Sequence, residues 1–98
     1  MTIRWTTKSR SSYFEVLYYL EKAWTDKEIK NFISKVDQLL NQIEQNPEMF
    51  EESATKKNIR KGFISRYYTL YYRVKPRSKE VQLLVFWDNR MNPEKLDY

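Results

Sequence analysis

The chain contains no cysteine and no histidine. The first absence excludes disulfides and thiolate chemistry. The second removes the usual general base near neutral pH and the usual ligands of a catalytic zinc, so neither a metal nor a cofactor is expected. Glycine occurs once and proline three times among 98 residues, which argues against a low-complexity or disordered chain. A single ordered domain over residues 1–98 is the expectation. Long apolar runs are missing as well. Met1 to Arg10 lacks the apolar core of a signal peptide, and no stretch approaches the roughly 18 apolar residues of a membrane span. The expected location is therefore cytoplasmic.

Acid is missing from one long segment. Met1 to Asn46 carries seven basic and six acidic residues, nearly in balance. Thr55 to Lys79 carries nine basic residues and no Asp or Glu: Lys56, Lys57, Arg60, Lys61, Arg66, Arg73, Lys75, Arg77 and Lys79. Tyr67, Tyr68, Tyr71 and Tyr72 are threaded among them. A field of one sign attracts polyanions and gains affinity from counterion release, and aromatic rings offer bases a stacking platform. The alternative reading is a solvated basic face without a partner.

Periodicity orders the chain. Ile3 to Thr6 alternates as a short strand does. Between about Lys8 and Trp24, Tyr13, Val16, Leu17, Leu20, Ala23 and Trp24 mark one face of a helix, with Ser9, Ser11 and Ser12 as candidate caps. Thr25-Asp26-Lys27-Glu28 has the form of a capping box, and the helix after it ends at Asn46-Pro47. The short Trp24-Thr25 link makes the two helices an antiparallel hairpin. Glu48 to Thr55 reads as a loop. Strands are expected over Asn58–Ile64, Tyr67–Lys75 and Glu80–Asp88, the last two joined by a turn at Pro76–Lys79. Tyr68, Leu70, Tyr72 and Val74 form the apolar face of the middle strand. Alternation in the last strand puts Val81, Leu83, Val85 and Trp87 on one side and Gln82, Leu84 and Phe86 on the other. The expected fold is α+β: an N-terminal strand and a helical hairpin packed on one face of a mainly antiparallel four-stranded sheet (β-α-α-β-β-β). The other face of that sheet, with Thr69, Tyr71 and Arg73, is left open.

This order and three stretches resemble the RelE/ParE toxin superfamily. The first stretch is Asn46-Pro47-Glu48-Met49-Phe50 followed by Asn58-Ile59-Arg60-Lys61-Gly62-Phe63-Ile64. The second is Tyr68-Thr69-Leu70-Tyr71-Tyr72-Arg73-Val74, and the third runs from Leu84 to Leu96. The resemblance implies a toxin of a type II toxin–antitoxin pair, held inactive by a cognate antitoxin that covers its basic face with acidic or apolar residues. It also implies one of two targets; the basic, tyrosine-rich sheet face and the match at Arg90 make the ribosomal one the leading expectation and the gyrase one the alternative. One branch enters the ribosome and cleaves mRNA without a metal; the other inhibits DNA gyrase and is not a nuclease. Arg90 matches the family's arginine after the last strand. Thr69 stands where cleaving members often carry a basic residue. Leu96 stands where some carry a tyrosine, with Tyr98 nearby.

Cutting RNA through its 2′-hydroxyl needs a base, a charge partner for the phosphate and an acid for the leaving oxygen. Without histidine, the base is a carboxylate or a tyrosine or lysine of lowered pKa, and crowded like charge points to Lys56, Lys57 or Lys61. Arg60, Arg73 and Arg90 are candidates to hold phosphate by forked hydrogen bonds, and Tyr71 to stack on a base. The catalytic candidates are thus Arg90, Lys57, Lys61 and Tyr71. The nucleic-acid-binding candidates are Lys56, Arg60, Arg66, Arg73 and Lys75. Each has a plainer alternative: solvated charge for Lys56 and Lys57, a cross-strand pair with Glu80 for Arg73, and a turn contact for Asp88. Trp5, Trp24 and Trp87 read as packing.

Overall fold

Helical and strand periods in the sequence become a β-α-α-β-β-β-β chain in the computed structural model, which describes all residues from Met1 to Tyr98. The elements are β1 (Thr2–Trp5), α1 (Thr7–Ala23), α2 (Asp26–Gln45), β2 (Glu51–Glu52), β3 (Ile59–Ser65), β4 (Tyr68–Lys75), β5 (Glu80–Asp88) and a 3₁₀ turn, Pro93–Lys95. Neither helix is long and apolar enough to cross a membrane.

Helix α1 starts one residue before the expected position, and its cap is Thr6 rather than a serine. The Thr6 hydroxyl accepts from the Ser9 amide at 3.0 Å, and the Ser9 hydroxyl accepts from the Thr6 amide at 2.9 Å. Thr6 still has the extended backbone of β1, and its hydroxyl also donates to the Leu83 carbonyl at 2.8 Å. The cap thereby fixes the helix start to the sheet. At α2, half of the expected box forms. The Glu28 carboxylate accepts from the Thr25 amide at 3.3 Å and from the Thr25 hydroxyl. The Glu28 amide bonds the Thr25 carbonyl at 3.1 Å instead of the hydroxyl. Asn46 ends the helix as Pro47 requires.

The sheet has five strands in the order β1-β5-β4-β3-β2, with β1 parallel to β5 and every other pair antiparallel. The fifth is the two-residue β2, inside the segment the sequence presents as a loop. Glu51 and Glu52 lie opposite Lys61 and Arg60 and pair with them at 3.6 Å each. Buried Val16, Leu20, Phe32, Val36, Leu39 and Ile43 of the helices pack on Leu70, Tyr72, Val74, Val81, Leu83 and Phe86. The single glycine, Gly62, lies under Leu39; a Cβ there would come within 3.2 Å of a Leu39 methyl.

One irregularity changes the faces of β5. Tyr71 pairs with Val85 but Tyr72 pairs with Leu83, so Leu84 is an extra, bulged residue. The expected alternation therefore breaks. Val81 and Leu83 face the helices, and after the bulge Phe86 does so too, while Val85 and Trp87 turn to the open face. The Phe86 amide faces α1 rather than a strand, and the buried Ser12 hydroxyl accepts from it at 2.9 Å. Small Ser9 and Ser12 let α1 approach β5 this closely.

Candidate functional site: the open sheet face

Cross-strand partners share a face, so the register defines what the uncovered side presents. One row is Lys61, Tyr71 and Val85; a second is Phe63, Thr69 and Trp87; a third is Ile59, Arg73, Gln82 and Arg4, with Ile59 and Val85 themselves buried. Lys75 lies opposite Glu80 at the hairpin end. Trp87 thus lies on the open side, half-buried, and Trp24 is 42% exposed at the helix tip, so only Trp5 sits in the interior, stacked on Phe86 at 5.5 Å.

The segment after the 3₁₀ turn folds back onto this face. Tyr98 packs on Tyr71 with ring centres 5.1 Å apart, and the Lys56 ammonium lies over the Tyr98 ring at 5.4 Å. Lys8 holds the neighbouring Asp97 through its carbonyl and, at 3.7 Å, its carboxylate. Burial, and secondarily Tyr98, pushes the Tyr71 phenol above its ordinary value. A phenol so placed keeps its proton. It fits hydrogen-bond donation or ring stacking, not the work of a base.

The cations differ in what holds them. Lys61 is on the open face but paired with Glu51. Arg73 and Lys75 face the open side without an ion pair: Glu80 takes Arg4 at 2.7 Å, so the expected Arg73–Glu80 contact does not form. Lys56 lies over Tyr98, and Lys57 is exposed in the turn before Asn58. Arg60 corrects the expectation most. It shares the helix-side face with Tyr72, and its Nη1 donates to the carbonyls of Glu48 at 3.1 Å and Phe50 at 2.8 Å. Its Nε is buried without a partner. Arg60 pins the loop into β2 and is not presented to a nucleic acid. Beside it, burial pushes the Tyr72 phenol up to about 12, and the hydroxyl donates to the Pro47 carbonyl at 2.7 Å.

Arg90 and Arg66 stand apart from these, held in the turns after β5 and β3. Arg90 binds Asp88 through two parallel hydrogen bonds of 2.9 and 3.0 Å, and its guanidinium lies over the rings of Tyr67, Tyr19 and Tyr68. Its Nη2 also donates to the Tyr68 hydroxyl at 3.4 Å. Asp88 additionally accepts from the Arg90 amide at 2.9 Å, which closes the turn. Burial pushes the Asp88 carboxyl up, but the hydrogen bonds and charge of Arg90 together hold it below its ordinary value. Arg66 lies over Tyr67 at 5.1 Å and makes no ion pair. Thr69 donates to the Asn89 side chain at 2.8 Å. No group of three carboxylates gathers to hold a metal ion.

The nine-cation segment is acid-free in sequence but not in space. Strand pairing brings Glu51, Glu52 and Glu80 beside it. The hairpin makes Glu80 foreseeable, although it pairs with Arg4 and not Arg73, while nothing in the sequence order points to Glu51 and Glu52 beside Lys61 and Arg60.

The profile of a family described as the ParE toxin of the type II toxin–antitoxin system, parDE, matches residues 3–93. No curated protein matches. Among solved structures, the chain is similar to one from a chromosomal ParDE toxin–antitoxin system of P. aeruginosa. The TM-score is 0.74 at 16% identity, covering 90% of this chain and 95% of that one. It is similar to a YoeB/ParE toxin from Agrobacterium tumefaciens, with a TM-score of 0.65 at 15% identity over 91% and 99% of the two chains. A YoeB dimer from Staphylococcus aureus gives 0.58 at 16% identity over 87% and 92%. The shared architecture is the α+β fold that the resemblance implies.

Proposed function

The chain belongs to the ParE toxin family of type II toxin–antitoxin systems, and on that premise we propose that it acts by binding its target rather than by cutting RNA. DNA gyrase is the target this reading names, and a cognate antitoxin is the neutralising partner. The observation that carries it is the state of three of the four catalytic candidates; the fourth, Lys57, is solvent-exposed, with no partner that would position it against a phosphate. Tyr71 holds its proton under Tyr98, Lys61 is paired with Glu51, and the guanidinium of Arg90 is engaged by Asp88. A self-cleavage of RNA needs one free base beside a free phosphate partner. Thr69 and Leu96, at positions where cleaving relatives carry working side chains, agree with a binding role.

A second reading, translation block on the ribosome by mRNA binding or cleavage, draws on the two unpaired cations Arg73 and Lys75 beside Tyr71. Purified, antitoxin-free protein separates the two. Loss of gyrase supercoiling with ribosome-bound mRNA left whole is the expected outcome. Unchanged supercoiling at high toxin excess, with mRNA cut or translation stopped, would replace the gyrase reading by the ribosomal one. The antitoxin complex is expected to be tighter than about micromolar, since free toxin would otherwise act.

A further inference from the structure

The β4–β5 hairpin ends in a cluster of cations. Arg73 and Lys75 lie on the last residues of β4, and Arg77 and Lys79 occupy the turn to β5. None of the four is in an ion pair. Glu80, opposite Lys75, is taken by Arg4 at 2.7 Å. Lys75, Arg77 and Lys79 are exposed, and Arg73 is half-buried. Lys79 also holds a backbone that suits glycine. Its φ is 54°, on the left-handed side, and its amide closes the turn onto the Pro76 carbonyl at 3.3 Å. The turn thus carries a charge where glycine would be less strained.

What accompanies these cations decides which polyanion they fit. The exposed rings are Phe14, Tyr18 and Tyr19 on α1, Trp24 at the helix link and Phe63 towards the other end of β3. Nearer the cluster, Tyr71 is covered by Tyr98 and Tyr72 is buried. Single-stranded nucleic acid is gripped by stacking its bases on free rings as well as by charge. A duplex keeps its bases stacked on one another and presents its phosphates to cations alone. Charge without a free ring therefore selects a duplex over a single strand.

We propose that the β4–β5 hairpin end binds the phosphate backbone of duplex DNA, without regard to sequence. Arg73, Lys75, Arg77 and Lys79 supply the contacts. That the duplex is DNA rests on the gyrase reading, because that target itself holds a DNA duplex. The toxin then touches both the enzyme and the DNA in its grip, and the hairpin end is its contact to the second.

The test is binding of the full chain, without gyrase, to a short DNA duplex of mixed sequence as salt is varied, read by fluorescence anisotropy. Log affinity is expected to fall with log salt at a slope of about −3 to −4 for four phosphate contacts. Lys75→Glu with Arg77→Glu should weaken binding about tenfold or more at low salt and make the slope shallower by about two. Lys30→Glu with Lys35→Glu, exposed on α2, makes the same change of net charge and should leave the slope as it is. Lys79→Gly removes one cation while easing the turn, so weaker binding with an unfolding midpoint no lower separates the contact from the fold. Tighter binding of single-stranded or duplex RNA than of the DNA, equal losses in the two double variants, or an affinity indifferent to salt would each overturn the proposal. So would equal competition by polyglutamate, since the hairpin end would then answer to protein carboxylates. Normal supercoiling in the presence of toxin that binds the duplex through Lys75 and Arg77 would remove the gyrase reading and leave the DNA contact standing.

Discussion

The guanidinium of Arg90 is held by Asp88 two residues earlier in the chain, Nε to Oδ1 at 2.9 Å and Nη2 to Oδ2 at 3.0 Å, with the Tyr67 ring beneath it at 4.7 Å. The pair is half-exposed, so its worth is on the order of 1 kcal/mol despite the fork. Because the folded Asp88 carboxyl titrates below its ordinary 3.8, its contribution is complete above about pH 5 and is lost as pH falls through 3.8 and below. Asp88→Asn is expected to lower the unfolding midpoint at pH 7 and to flatten its decline in acid. Thermal unfolding at stepped pH values reads both effects; parallel acid profiles for the two proteins would refute the linkage.

Ser12 serves the bulge. Its hydroxyl is the acceptor for the Phe86 amide and donates onward to the Ser9 carbonyl at 3.0 Å. Ser12→Ala leaves a buried amide without a partner, at a cost of about 1–3 kcal/mol. Chemical denaturation of the variant gives the number, and a loss under a few tenths would mean that water replaces the hydroxyl.

Arg60 holds two loop carbonyls and a carboxylate on the helix side of β3. Arg60→Met keeps much of the stem but removes those bonds, and is expected to destabilise the fold by about 1–3 kcal/mol. Binding through the open face should be unchanged at temperatures where the variant is folded. A variant that folds as well as the parent but loses target binding would return Arg60 to the interface.

Tyr98 covers Tyr71. Tyr98→Ala removes both part of the burial and the neighbouring phenol, the two causes that raise the Tyr71 value. The Tyr71 ring should then titrate at lower pH, nearer its ordinary 10.0, as followed by ring-proton NMR. An unmoved titration would mean that burial by the strands alone sets it.

Much of this architecture was readable from the sequence because period is local. Val16 to Leu20 and Phe32 to Ile43 lie at helical spacing, and Tyr68, Leu70, Tyr72 and Val74 alternate and are all buried. The end of α2 at Asn46-Pro47 and the Pro76–Lys79 turn follow from proline geometry. What escaped was set by distant partners. Beside the Leu84 bulge, the Phe86 amide is received by Ser12 of α1, a contact spanning 74 positions. Glu51 and Glu52 become a strand only opposite Arg60 and Lys61. Which side Arg60 faces depends on the register of β3 with β4, and the apolar–polar pattern of Asn58 to Ile64 alternates too weakly to fix it. At the site, the basic segment was visible but its pairing with Glu51 and Glu52 was not. Asp88 was legible as a turn residue; its hold on the Arg90 side chain was not.

The parallel pairing of β1 with β5 also sets a schedule. Thr2 meets Glu80 and Trp5 meets Leu83, so the first strand synthesised finds its only neighbour nearly eighty residues later. Helix α1 packs on β5 as well, through Ser12 and Phe86. Contacts this distant in sequence form late, after the loop-closure entropy of the intervening chain has been overcome. A nascent chain that stops short of Glu80 holds a helical hairpin and β1 with no β5 to receive them. It lacks the strand that supplies Trp87 and Val85 to the open face. Newly made protein therefore becomes a toxin only once its final strand has emerged, which leaves the span of its own synthesis for a neutralising partner to be present.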